Sequence, residues 1–306
     1  MNKKALRGSL LLALGAIIWG CAFVAQNVGM DYVGPFTFNG ARSFIGTLTL
    51  LPIVLVRRSN RRKTMSAAEW TINCREQLKA GLLAGLAIFV PTSLQQIGLQ
   101  YTSAGKSGFI TAMYIVVVPI MAIFLGKRAR LNVWISVAVA VVGMYLLCVT
   151  ETLSISNGDI VTLISVVFWG VQILVIDRFA PKVDCIEMVC CQFLVCGLLS
   201  LAPMLILERP SLPALGQCII PLLYTGVMSS GIAYSLQSLG QRDTHPTVAA
   251  LIMSLESVFA ALAGFVILGD SFSQRELIGC GLMFAAVLIA QLPPAGRKKS
   301  AVRETE

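Results

Sequence analysis

Apolar residues run along this chain in blocks of about twenty, each closed by a short polar or basic stretch. A helix rising 1.5 Å per residue crosses the roughly 30 Å hydrocarbon core of a bilayer in about 20 residues, so each block reads as a membrane span. The pattern predicts ten: Leu6 to Val28, Pro35 to Val56, Gln77 to Leu99, Ala104 to Leu125, Leu131 to Val149, Asp159 to Ile176, Cys185 to Leu207, Leu215 to Ser238, Pro246 to Leu268 and Arg275 to Leu292. The connections are mostly short and leave no room for a soluble domain. Within the longest, the Ser66 to Trp70 stretch has capping-box spacing, which predicts a short interfacial helix. Pro91 and Pro119 fall inside spans, where each removes a helix hydrogen bond and marks either a gate or a packing kink.

The polar positions inside these blocks repeat. Trp19-Gly20 returns as Trp169-Gly170, 150 residues later. Leu50, Pro52 and Arg58 return as Leu201, Pro203 and Arg209 at an offset of 151, and Leu94, Gln95 and Gly98 as Leu236, Gln237 and Gly240 at 142. Leu125-Gly126 returns as Leu268-Gly269 at 143. Four echoes in order predict a duplicated five-helix unit, residues 1–149 and 150–292, followed by a polar tail at 293–306. An odd number of spans per unit makes the second copy enter the membrane upside down. The expected fold is therefore an all-α integral membrane protein of ten transmembrane helices in two inverted repeats, with any substrate site between the halves.

Composition agrees: 56% of the 306 residues are hydrophobic and 13% charged. The net charge of +9 would suit nucleic acid, but its distribution assigns it elsewhere. With the N-terminus inside, every Lys and Arg falls on the inner face except Lys106, Arg209 and Arg275 outside and Arg42 within a span. This is the positive-inside pattern, and it predicts cytoplasmic termini with no nucleic-acid partner. All nine cysteines except Cys74 lie in apolar spans, without metal-ligand spacing, and read as buried free thiols. The basic and apolar N-terminus reads as a retained first helix in preference to a secretory signal.

Against this apolar background a few polar groups stand out. Glu256 sits near the middle of the ninth block, where a carboxylate costs roughly 2.5 to 3.5 kcal/mol on insertion scales and must face protein or water. Its small neighbours, Ala250, Ser254, Ser257, Ala261 and Gly264 among them, predict a central helix of the bundle. Glu256 then either hydrogen-bonds a neighbouring helix or binds substrate or an ion. Asn39 and Arg42 lie one turn apart in the second span, with Arg42 about 10 Å from its outer end. That depth leaves Arg42 facing a cavity or snorkelling to the headgroups. The 150-residue offset pairs Arg42 with Gln192, and the 142-residue offset pairs Tyr114 with Glu256, which predicts that a phenol and a carboxylate meet on the pseudo-symmetry axis. Trp19 and Trp169 are mid-span and serve either packing or a cavity wall, while Tyr234, Gln237, Gln95 and Gln172 are further polar candidates.

Enzyme motifs are missing. Gly105-Lys106-Ser107 imitates the end of a phosphate-binding loop, but Gln100 occupies its first glycine position. The only histidine, His245, precedes Pro246 and reads as a helix cap. No zinc motif, activated nucleophile or ATP site is present, so the expected protein is not an enzyme, uses no metal or cofactor, and draws on a gradient for any pumping.

The segment Thr102 to Arg128, TSAGKSGFITAMYIVVVPIMAIFLGKR, resembles the third-to-fourth helix region of the EamA-like branch of the drug/metabolite transporter superfamily. The run from Ser254 to Ala261, continuing to Leu268-Gly269-Asp270, resembles the same place in the second half, and the likeness covers roughly residues 10 to 292. It implies ten helices in inverted repeats, termini inside, and export of small metabolites, amino acids or toxic compounds. Ser257 stands where the family often has proline, and Lys127 and Asp270 stand where it often has an acid. The resulting expectation is a secondary transporter of the cell membrane working by alternating access. Trp19, Asn39, Arg42, Tyr114, Trp169, Gln192, Tyr234 and Glu256 would bind substrate, and Glu256 is the proton-coupling candidate. Its partners would be a small-molecule substrate and the lipid bilayer, with a homodimer left open. The alternative is a membrane sensor or assembly subunit that moves nothing.

Overall fold

Each apolar block forms a helix, because a backbone in hydrocarbon must satisfy its own hydrogen bonds. The computed structural model describes residues 3–102, 104–127, 129–148, 156–263 and 273–292. The helices are α1 (Lys3–Gly29), α2 (Pro35–Thr64), α3 (Ala67–Gly98), α4 (Ala104–Ala112 and Tyr114–Phe124), α5 (Leu131–Cys148), α6 (Asn157–Phe179), α7 (Cys185–Pro203, extended by a π-helical turn Met204–Glu208), α8 (Ile219–Gln241), α9 (Pro246–Met253 and Glu256–Ala263) and α10 (Gln274–Gln291). Eight of them, α1 to α4 and α6 to α9, are long and apolar enough to cross a membrane. The apolar part of α5 is shorter, and α10 starts with Arg275 and Glu276 in its first turn. No strand occurs among the described residues. Gly264, Leu268, Gly269, Asp270, Arg128 and the tail at 293–306 lie outside them.

The packing is that of two five-helix repeats of opposite orientation. Three helices pack on their own counterparts: α2 on α7, α4 on α9 and α5 on α10. The rest pair off, since α3 on α6 matches α8 on α1, and α1 on α9 matches α6 on α4. Helices in a bilayer associate through close packing, and glycine permits it where backbones cross. A β-carbon on Gly158 would lie 2.6 Å from the Gly98 carbonyl oxygen, and one on Gly240 would lie 2.9 Å from that of Gly8. These are equivalent crossings, each joining one repeat to the other. The Trp-Gly echo has the same cause: Gly20 lies under Phe259 and Ala260 of α9, and Gly170 under Val117 and Met121 of α4.

Two local expectations change. Residues 57–76 form no separate interfacial helix; α2 and α3 run on past the apolar region and meet at a break around Met65 and Ser66. The Ser66–Glu69 capping box is present, but it opens α3 itself. Arg58 and Arg62 sit over the Trp70 ring at 5.2 and 5.6 Å, and Arg57 pairs with Asp184 at 3.1 Å, which hold this extension helical and join it to α7. The prolines do not break their helices either. α3 continues through Pro91, and Pro119 lies within the second half of α4.

The breaks fall elsewhere, in register with each other. In α4 the helix tightens at Met113, whose N–H donates to Ile110 O at 3.1 Å. In α9 the equivalent Leu255 N–H donates to Ile252 O at 3.2 Å. Ser254 and Ser257 add hydroxyl bonds to carbonyls three residues back, both at 2.8 Å, an arrangement that bends helices. Tyr114 and Glu256 are therefore each the first residue of a half-helix. His245 caps the other end of α9, its Nδ1 accepting from Thr247 N–H at 3.4 Å.

Candidate functional site

Between the repeats, α1, α2, α3, α4, α6, α8 and α9 together line a cavity. Its walls come in equivalent pairs. Trp19 faces with Trp169, Phe23 with Ile173, Gln95 with Gln237, Thr111 with Met253, and Tyr114 with Glu256. The cavity therefore lies on the pseudo-twofold axis. At its centre the Tyr114 hydroxyl donates to Glu256 Oε1 at 3.2 Å, the meeting of phenol and carboxylate that the 142-residue offset predicts. The second half-helices of α4 and α9 both begin at this pair.

Arg42, Gln26, Gln172, Ser229 and Tyr234 complete the lining, and they are where the symmetry fails. Arg42 is only 4% exposed and held from two sides. Its Nη1 donates to Gln26 Oε1 at 2.8 Å, and its Nε and Nη2 donate to Asn39 Oδ1 at 3.2 and 3.1 Å. Both partners are neutral. Among the described residues no ion pair joins Arg42 or Glu256 to an opposite charge. Tyr234 packs edge-on against Trp19 and Phe193, each with ring centroids 5.0 Å apart. It follows a π-helical stretch, Tyr224–Ala233, a geometry frequent at functional sites.

Of the eight residues chosen from sequence, six line the cavity: Trp19, Arg42, Tyr114, Trp169, Tyr234 and Glu256. Two do not. Asn39 stands behind Arg42, its Nδ2 donating to Thr92 and Ser200 hydroxyls at 3.2 and 3.3 Å, so it positions the guanidinium without reaching the cavity. Gln192 is wholly buried on α7 outside the lining, because α7 packs this part of its surface against α2 and α3. Gln26 joins the six in the lining; Trp19, Phe23 and Gln26 recur at helical spacing on one face of α1. Lys106 of the loop-like Gly105-Lys106-Ser107 pairs with Asp159 at 2.5 Å. Lys127 pairs with Asp177 of α6.

Several polar atoms of the wall residues are buried without partners. The indole N–H groups of Trp19 and Trp169, the Thr111 hydroxyl, Gln172 Nε2 and Gln237 Oε1 find none among the described residues. The wall thus combines a cation position, an anion position, buried polar atoms without partners and aromatic rings.

A duplicated ten-helix bundle with such a cavity on its axis defines a membrane transporter of the inverted-repeat class. The EamA-like transporter family model matches residues 6–149 and again 156–291, and the chain belongs to that family. It is 31% identical to an uncharacterized transporter of Archaeoglobus fulgidus over 94% of this chain and 87% of the relative. Its identity to the uncharacterized transporter YoaV of Bacillus subtilis is 22%, over 92% and 96% of the two chains. A solved crystal structure shares the fold with a TM-score of 0.74 at 19% identity, covering 93% of this chain and 96% of the other.

Proposed function

We propose that the protein exports a small metabolite bearing a carboxylate and an apolar or aromatic part, by alternating access, with Glu256 exchanging a proton or holding an ammonium group. The observation that carries this reading is the pair Arg42 and Glu256, two buried and oppositely charged positions on one cavity with no ion pair for either among the described residues. Burying an uncompensated charge costs several kcal/mol, and a solute that presents the complementary charges removes that cost. Arg42 takes the carboxylate with the donors that Asn39 and Gln26 leave free. Trp19, Trp169 and Tyr234 pack the apolar part. A proton on Glu256 reverses the direction in which it can share a hydrogen bond with Tyr114, and so links protonation to the contact between α4 and α9.

The basic hairpin between α2 and α3, with Arg130, Arg178, Lys182 and Arg242 on the same face, supports a plasma-membrane orientation with both termini in the cytoplasm. Flux of amino acids, nucleobases and lipophilic cations into inside-out vesicles, with and without a pH gradient, tests the function. The expected result is gradient-driven uptake of one carboxylate-bearing class that Glu256→Gln abolishes. Uptake that ignores both gradient and mutation rejects the coupling, and no uptake of any class rejects export.

A further inference from the structure

Gln192 is a buried group that the cavity does not use. It is fully buried, and among the described residues it is the one side-chain amide whose oxygen and nitrogen are both buried without a hydrogen-bond partner. An unpaired buried polar group costs roughly 1 to 3 kcal/mol, so its persistence calls for a state in which it is paired. Its surroundings show how close such a state lies. Cys196, one turn along α7, has its thiol 3.6 Å from Asn39 Nδ2, and the adjacent Phe193 packs on Tyr234. Gln192 is thus about 6 Å along the helix from Cys196, whose thiol touches the amide that positions Arg42.

The two halves are equivalent in sequence position and unequal in conformation: α8 is π-helical over Tyr224–Ala233, whereas the equivalent stretch of α3 is α-helical. α2 presents Arg42 and α8 presents Tyr234 to the cavity, whereas their counterparts, Gln192 on α7 and Thr92 on α3, are withdrawn. An exchange in which each half took the other's conformation would give a second arrangement built from the same contacts. Gln192 and Thr92 then enter the wall, and Arg42 and Tyr234 leave it. Tyr114 and Glu256 remain, because each is the other's counterpart.

We propose that Gln192 replaces Arg42 in the cavity wall when the protein turns to the opposite membrane face, so that a cargo carboxylate is held by a guanidinium in one state and by a neutral amide in the other. Hydrogen bonds to a charged donor are roughly twice as strong as neutral ones, so the exchange loosens the cargo where it is let go. This inference rests on the transport reading above, and its test does not depend on knowing the cargo.

The full chain in sealed vesicles is labelled with a membrane-impermeant methanethiosulfonate cation added to one face at a time, the native chain giving the background of its own cysteines. Gln192→Cys and Thr92→Cys are expected to react at least tenfold faster from one face, and Tyr234→Cys and Ser229→Cys from the other. Reaction of all four from the same face, or of Gln192→Cys and Thr92→Cys from neither, overturns the exchange. Thr92→Cys keeps the test open if Gln192→Cys does not fold. Vesicles that carry cargo yet show no change of face retain the transport reading and reject the exchange; vesicles that change face yet carry nothing do the reverse.

Discussion

The α4–α9 pair and the α2–α7 pair both cross the pseudo-symmetry axis, and they use it differently. α4 and α9 break at equivalent residues, start their second halves with Tyr114 and Glu256, and join those two by one hydrogen bond. α2 and α7 pack as closely, but α2 aims Arg42 into the cavity, held by Asn39 and Gln26, while α7 buries Gln192 outside it. The equivalent α4 and α9 thus place the cavity on the axis, and the unequal α2 and α7 give it polarity. A site made of identical halves would present the same chemistry to a cargo in both orientations. This one does not.

The most severe way to break that comparison is to make the halves alike at the unequal position. Arg42→Gln removes the cation and leaves Asn39 Oδ1 and Gln26 Oε1 without their donor. Truncating one partner of a buried charged hydrogen bond costs about 2 to 5 kcal/mol, so flux of a carboxylate-bearing cargo should fall by roughly 30-fold or more. Initial rates in vesicles measure it. Adding Asn39→Leu to Arg42→Gln should cause little further loss, since Asn39 acts through Arg42. Full additivity of the two would remove Asn39 from that role.

Gly20 and Gly170 test whether equivalent frame positions are equally constrained. A β-carbon on Gly20 would lie 2.7 Å from the Ala260 backbone nitrogen, which cannot move alone. One on Gly170 would meet the Met121 sulfur at 2.9 Å and the Val117 side chain at 3.2 Å, and a methionine side chain can swing away. Gly20→Ala should therefore lower thermal stability by about 1 to 3 kcal/mol and Gly170→Ala by less. Equal losses in melts of the purified variants would show that both crossings are backbone-limited.

The smallest effect is expected on the axis itself. Interhelical hydrogen bonds in membrane bundles average about 0.6 kcal/mol, so Tyr114→Phe should change cargo affinity only about threefold. A much larger change would mean that the phenol contacts the cargo directly.

Much of this was legible from residues alone, for identifiable reasons. Ten apolar blocks are a direct reading of bilayer thickness, and the echo of Trp19-Gly20 in Trp169-Gly170 reports two helix crossings whose close approach tolerates no side chain. The Tyr114–Glu256 contact followed from the repeat offset, because a pseudo-twofold axis brings counterparts on self-packing helices together. What the sequence by itself determined is thus the number of helices, their duplication, and which polar groups bear the cost of lying in hydrocarbon. The tertiary structure decided which of those groups share a cavity. Arg42 and Gln192 occupy matching positions and are both polar, and nothing local separates them; only the packed bundle shows that Arg42 lines the cavity and Gln192 does not. Pro91 and Pro119 show the same limit. Proline removes a donor wherever it occurs, but neighbouring packing decides whether the helix yields there or at Met113 and Leu255.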